Sequence, residues 1–311
     1  MLKVVDRESI DRFATTPRGL SICFRDFGKA TDPAILLIAG LGEDINAWGG
    51  EFVDALVASG FRVITMDNRD VGRSSYVTSP PPAVWRQVLA KPRKDAYSLA
   101  DMAGDCLGVL DHLGIGQAHI VGRSMGGMIA QTIAATAPAW VLSLTSIYST
   151  TGAKKAGQPA LSTIAILVGS PPHSKADAVR AHLKITRHVA GTAYPINEAD
   201  ETAIAARAWD RNGGDAAAGS ARQIQAIQFS GDRTSQLKQI TAPTLVIHGD
   251  RDLLVAPNGG EATAKAIRGA RHVVIPGMGH HIPPALVNTI TGHIAEHAAS
   301  NNGGGRNAGN Q

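Results

Sequence analysis

Two hydrophobic rhythms alternate along the chain. Leu20–Phe24 has the spacing of a short strand, and Ala34–Ala39 (AILLIA) is an unbroken apolar run. Such a run marks a strand buried on both faces of a parallel sheet. Helical spacing follows at Phe52, Leu56 and Val57 and stops at Gly60, which suits a helix C-cap. Phe61–Met66 predicts the next strand. Apolar residues recurring from Leu99 to Leu113 predict a helix closed by Gly114. A strand entering at Ala118, Ile120 and Val121 gives way to a helix carried by Met128, Ile129, Ala130, Ile133 and Ala134. Pro138 ends that helix, and Val141–Tyr148 reads as a further strand. This order predicts an α/β fold with a doubly wound, mostly parallel sheet.

The rhythm breaks near residue 150 and resumes at Thr244. Helical patterns cover about 160–168, 175–189, 197–211 and 216–228, separated by Pro171, Pro172, Gly213 and Gly214, with no buried strand among them. An inserted helical cap over 151–240 is therefore expected, lying over the strand ends where ligands bind in such sheets. Strands at Thr244–His248 and His272–Ile275 follow, with helices near 260–268 and 284–297. The predicted organisation is a core of residues 1–150 and 241–298 carrying the cap. Residues 299–311 (ASNNGGGRNAGNQ) have little apolar content and are expected to be a disordered tail. A loop of about twenty residues around Pro80–Pro82 is long enough to be functional.

Composition narrows the classes. The chain has 311 residues, 44% hydrophobic and 18% charged, with a formal net charge of +4. Its Lys and Arg residues are scattered rather than striped, which argues against nucleic acid as a partner. Apolar stretches reach only about nine residues, too short to span a membrane. Cys23 and Cys106 are the only cysteines and have no metal-ligand spacing. Inert thiols in a reducing compartment fit that usage. The first residues (MLKVVDRESIDRF) contain no apolar stretch of a signal peptide. A cytoplasmic location is expected.

The chemistry-bearing segment is His-Ile-Val-Gly-Arg-Ser-Met-Gly-Gly at 119–127. Strand and helix signals flank a Gly-x-Ser-x-Gly pentapeptide, so Ser124 is expected on a sharp strand-to-helix turn. Gly122 and Gly126 must lack bulk there, and the Met125 N–H would face whatever the serine attacks. With 34 glycines in the chain the bare pentapeptide carries little weight by itself. Its partners carry more. A serine hydroxyl needs a base, and the base needs an orienting carboxylate. His248-Gly-Asp-Arg-Asp252 follows one buried strand and Pro276-Gly-Met-Gly-His280-His281 follows the last, so parallel strands would bring these loops to one sheet edge. Asp250 abuts its strand in a position to shape the turn, and Asp252 lies further into the loop. The run Gly277-Met-Gly279 leads directly into His280, which favours it over His281. No Asp or Glu occurs between Asp111 and Asp177, closing the other known position for the acid. The Ala39-Gly-Leu-Gly-Glu43 turn suits a second oxyanion donor, the N–H of Leu41.

These pieces together resemble the α/β-hydrolase superfamily. The AGLG turn at 39–42, DNRDVGRSS at 67–75, GRSMG at 122–126, HGDRD at 248–252 and PGMGHHIP at 276–283 carry the resemblance. Their phrasing is most similar to bacterial esterases of the aclacinomycin-methylesterase-like type. Family spacing assigns the acid to Asp252. Two departures stand out. Ala39-Gly40 replaces the His-Gly common at the oxyanion turn, and Arg123 occupies the elbow where smaller or aromatic residues are usual. Arg123 has two destinations open, a salt bridge beyond the sheet or the cap.

The resemblance implies a serine hydrolase of small or medium acyl or methyl esters, working through an acyl-enzyme with Ser124, His280 and Asp252. Leu41 and Met125 would supply the oxyanion hole. It implies a small-molecule ester as partner, with no cofactor and no metal. The same triad also serves C–C bond hydrolases, lactonases and cofactor-free perhydrolases or haloperoxidases, and a non-catalytic ligand receptor is a remoter alternative. Haloalkane dehalogenases and epoxide hydrolases are disfavoured, since both need a carboxylate where Ser124 stands.

Overall fold

The first two strands of the described residues, β1 (Arg12–Thr15) and β2 (Ser21–Phe27), are antiparallel, and the buried run then forms β3 (Ala34–Ile38). A short 3₁₀ turn at Ile45–Trp48 leads to α1 (Gly50–Ala58) and β4 (Arg62–Met66). Next come α2 (Val84–Val88), α3 (Leu99–His112), β5 (Ala118–Arg123), α4 (Met125–Thr136) and β6 (Val141–Ile147). The helices α5 (Leu161–Leu167), α6 (Lys175–Val189), α7 (Glu198–Arg211), α8 (Ala216–Ser230) and α9 (Thr234–Leu237) follow. The chain then returns to the sheet with β7 (Thr244–Gly249), α10 (Asn258–Ala266), β8 (Arg271–Ile275) and α11 (Pro284–Ala299). This is a computed structural model that describes residues 10–167 and 171–302.

The eight strands lie in the order β1-β2-β4-β3-β5-β6-β7-β8. All neighbours from β4 to β8 are parallel, and β2 pairs antiparallel with β4. Side chains of β3 alternate between two cores. Leu36 and Ile38 join α3 and α4 on one face, whereas Ile35 and Leu37 join α1 and α11 on the other. Chain order reverses direction at β3, which has β4 on one side and β5 on the other, so a crevice opens at their carboxyl ends.

Three of these elements were absent from the hydrophobic pattern, among them the single turn of α9, which buries only Leu237. β1 buries only Ala14, so it has no apolar period to read. α2 exposes Val84, Trp85 and Val88 and so has no buried face to betray it. The tail differs from its expectation at its start. α11 continues to Ala299, its final carbonyls met by Ser300 and Asn301 side chains, and Asn302 Oδ1 pairs with His119 Nε2 at 2.6 Å. The rest of the expected tail, 303–311, lies outside the described residues. Among the described residues no helix is long and apolar enough to cross a membrane.

The helical insertion is tied to the sheet by buried ions. At the end of α7, Arg211 meets Asp44 at 3.0 Å, Asp67 at 2.7 Å and also Asp11. From α8, Arg222 grips Asp70 through two bonds of 2.9 and 2.7 Å. Gln223, also on α8, donates to the Arg69 carbonyl and accepts the Gly42 N–H. Burial pushes Asp67 up to about 6 in spite of the cation beside it.

Removing Arg211 takes away the cation that Asp44 and Asp67 share, while Asp11 keeps Arg25 and Arg73. Arg211→Met is expected to cost about 3–5 kcal/mol, read from urea unfolding at neutral pH. Asp67 has a folded pKa above its unfolded one, so its ionisation destabilises the fold as pH rises through about 6. Without Arg211 that penalty is larger, and the deficit of the variant should shrink as pH falls through this range.

Candidate active site

The site grows from the turn between β5 and α4. Ser124 has φ 53° and ψ −122°, a left-sided backbone state costing about 1–3 kcal/mol for a residue with a side chain. Its N–H donates to the Ile147 carbonyl at 2.9 Å, and its carbonyl accepts from Ser149 Oγ at 2.8 Å. The flanking glycines are required by contact. A Cβ on Gly122 would lie 2.1 Å from the Gly126 carbonyl oxygen, and one on Gly126 would lie 2.1 Å from that of Ile38. The close approach to β3 also brings the following turn alongside, since a Cβ on Gly40 would lie 3.3 Å from Ser124 Cβ.

Two more strand-end loops deliver ionisable groups to the same edge. Beyond β7, Asp252 is buried, and its Oδ1 accepts the N–H groups of Leu254 and Val255, both at 2.8 Å. Beyond β8, the histidine loop is pinned to the end of α6, with Gly279 N–H donating to the Ala190 carbonyl at 3.0 Å and His280 N–H to that of Val189 at 2.6 Å. This places His280 Nδ1 2.7 Å from Asp252 Oδ2 and His280 Nε2 2.9 Å from Ser124 Oγ. Burial would raise Asp252, but His280 and His248 outweigh it and hold the carboxyl down at about 2. An ionised carboxylate accepts only, so His280 carries its proton on Nδ1 and its Nε2 is free to take one from the serine.

The competing candidates go elsewhere. Asp250 Oδ1 accepts the Gly277 N–H at 2.6 Å and thereby joins the two loops. His281 turns to Glu201, with Nε2 and Oε1 3.6 Å apart, and burial lowers its pKa. Around the expected oxyanion donors the neighbouring N–H groups are engaged. Gly40 donates to Glu43 Oε2 at 2.6 Å and Gly42 to Gln223 Oε1 at 2.8 Å. Leu41 sits between them, and Met125 opens α4 directly behind Ser124.

Three further residues shape this region. His248, four residues before Asp252, donates from Nε2 to the Val255 carbonyl at 2.9 Å and lies 3.3 Å from Asp252 Oδ2. The Tyr148 ring packs on the imidazole of His280 with centroids 4.4 Å apart. Arg123 is buried and forms a salt bridge with Glu43, which lies in the turn after β3 on the same edge as Ser124 and so matches neither expected destination. Of these, His248 left a trace in sequence as part of the HGDRD motif and Arg123 as part of GRSMG. Tyr148 and Glu43 act across strands and loops that spacing does not relate. The two thiols are remote from this chemistry. Both are free and buried, and burial pushes Cys23 up to about 12.

Comparisons with known proteins bear on the family and the fold. The family model described as alpha/beta hydrolase fold matches residues 33–283. Among curated relatives, rhodomycin D methylesterase DnrP of Streptomyces peucetius is 27% identical over 87% of this chain and 92% of its own length. Rhodomycin D methylesterase DauP of Streptomyces sp. (strain C5) is 29% identical over the same shares, 87% and 92%. Among solved structures, the enol-lactonase from Burkholderia xenovorans LB400 superposes with a TM-score of 0.70 at 24% identity, covering 93% of this chain and all of that one.

The elbow contacts predict opposite outcomes for two glycines. Gly126→Ala should destabilise by about 3 kcal/mol or more, because the obstructing atoms are backbone. Gly104→Ala, with open space at an exposed position of α3, should instead gain about 0.5–1 kcal/mol. Thermal melting of the two variants reads the difference.

Proposed function

The chain belongs to the alpha/beta hydrolase fold family, and from that membership we propose that it is a carboxylic ester hydrolase with Ser124 as nucleophile, His280 as base and Asp252 as orienting acid. The observation that carries this reading is the continuous hydrogen-bond chain from Ser124 Oγ through His280 to Asp252, at 2.9 and 2.7 Å. Ser124 Oγ attacks the acyl carbon as its proton passes to His280 Nε2. Asp252 stabilises the resulting imidazolium, and the N–H groups of Leu41 and Met125 receive the oxyanion. Collapse of the tetrahedral intermediate expels the alcohol, which takes the proton from His280 and leaves an acyl-enzyme. Water, deprotonated by His280, attacks the acyl carbon, and a second collapse frees the acid and restores Ser124.

The names of the two Streptomyces relatives support a methyl ester as the cleaved group. Residues 151–240 are then a cap whose inner surface selects the acid portion. Two buried thiols suit work in the cytoplasm.

Ser124→Ala should lower kcat for p-nitrophenyl acetate about 10⁴-fold or more with little change in KM. A panel of methyl esters, lactones and vinylogous diketones read beside it tests the substrate class. Ester turnover that survives the substitution would overturn the assignment, and preferential cleavage of the diketones would move it to C–C hydrolysis.

A further inference from the structure

We propose that Arg123 and Glu43 form a clamp that holds the oxyanion turn against the nucleophile elbow, making both of them positioning residues. The inference rests on the hydrolase reading above and extends it to the variable position of the elbow pentapeptide. Glu43 Oε2 accepts the Gly40 N–H at 2.6 Å and Arg123 Nε–H at 2.8 Å, while Arg123 Nη2 stands 2.8 Å from Oε1 in the same ion pair. The Glu43 N–H returns to the Gly40 carbonyl at 3.3 Å. The Gly40–Glu43 segment is thus closed at both ends, and Leu41 is held at its corner.

The arginine end is equally constrained. Its guanidinium lies 5.0 Å from the centre of the Trp48 ring, and Tyr148, one strand away, packs its ring on His280. Arg123 is covalently joined to Ser124, so each hydrogen bond to Glu43 relates the turn after β3 directly to the nucleophile. This matters because Gly40 and Gly42 leave the turn backbone intrinsically free, and an oxyanion donor contributes only if it is already aimed when charge develops. The ion pair has a second consequence. A lone carboxylate two residues from the Leu41 N–H would oppose the developing oxyanion, and the guanidinium cancels it.

The test uses Glu43→Gln, Glu43→Ala and Arg123→Lys in the full chain. Glu43 is partly exposed, so its variants are expected to fold, which thermal melting verifies. For p-nitrophenyl acetate, kcat should fall about 10-fold in Glu43→Gln and about 100-fold in Glu43→Ala, with KM within about threefold of the native value. Arg123→Lys, which keeps the charge and loses the fork, should fall between them. Hydrogen–deuterium exchange of residues 39–47 should quicken in Glu43→Ala and Arg123→Lys while the α4 peptide stays protected. Unchanged exchange overturns the clamp whether or not the chain is an esterase. Quickened exchange with native kcat overturns its positioning role. Failure of a fluorophosphonate to label Ser124 in the native chain sinks the hydrolase reading, and with it the role of the clamp in catalysis.

Discussion

Everything in the site depends on one backbone contact, the approach of the β5–α4 turn to the end of β3. There is no room for a Cβ at Gly122 or Gly126, and the space they leave is filled by carbonyl groups of Gly126, Ile38 and Ala39. The contact forces Ser124 into its φ of 53° and keeps Gly40 beside it. Strain of this kind persists only where surrounding structure over-determines it. Here the over-determination comes from a parallel ladder on both sides of β5 and from the Ile147 and Ser149 hydrogen bonds to the serine backbone.

A second theme is the use of buried charge alongside apolar contact between the helical insertion and the sheet. Arg211, Arg222 and Arg233 are all buried, yet only the first two have carboxylate partners in contact. Arg233 instead donates to the Met128 and Thr150 carbonyls and to Gln131, and burial lowers its pKa to about 10. Such pairs rarely exceed apolar packing in stability, but they have few alternative partners of the right geometry. They therefore fix the insertion in one orientation over the carboxyl edge. His280 depends on that orientation, since its backbone N–H is bonded to Val189 at the end of α6.

Much of the sheet was legible because burial on both faces leaves an unbroken apolar mark. β3 and β7 show it as continuous runs, and α3 shows it as helical periodicity ending at a glycine. β1 and α2 escaped because neither has a buried face that repeats. The helices anticipated at 175–189, 197–211 and 216–228 stand within about two residues of their expected limits, since amphipathic spacing survives even where the buried face is partly ionic. The one at 160–168 starts as expected, and its end lies outside the described residues. The start of α11's tail was misread for a different reason. Ser300, Asn301 and Asn302 look like linker residues by composition, but their side chains satisfy helix carbonyls and His119.

By itself the sequence determined the α/β order, the elbow at Ser124 and the two loops carrying Asp252 and His280. These follow from local steric need and from periodicity, both of which are written over short spans of chain. The family resemblance pointed to Asp252, and only tertiary structure decided how the two acids divide, where Arg123 goes and what holds the Gly40–Glu43 turn. Asp250 and Asp252 are two residues apart, and the loop geometry sends one to Gly277 and the other to His280. Arg123 and Glu43 are eighty residues apart, and only the parallel pairing of β3 with β5 makes them neighbours. A direction in space set by two strands cannot be read from either strand alone.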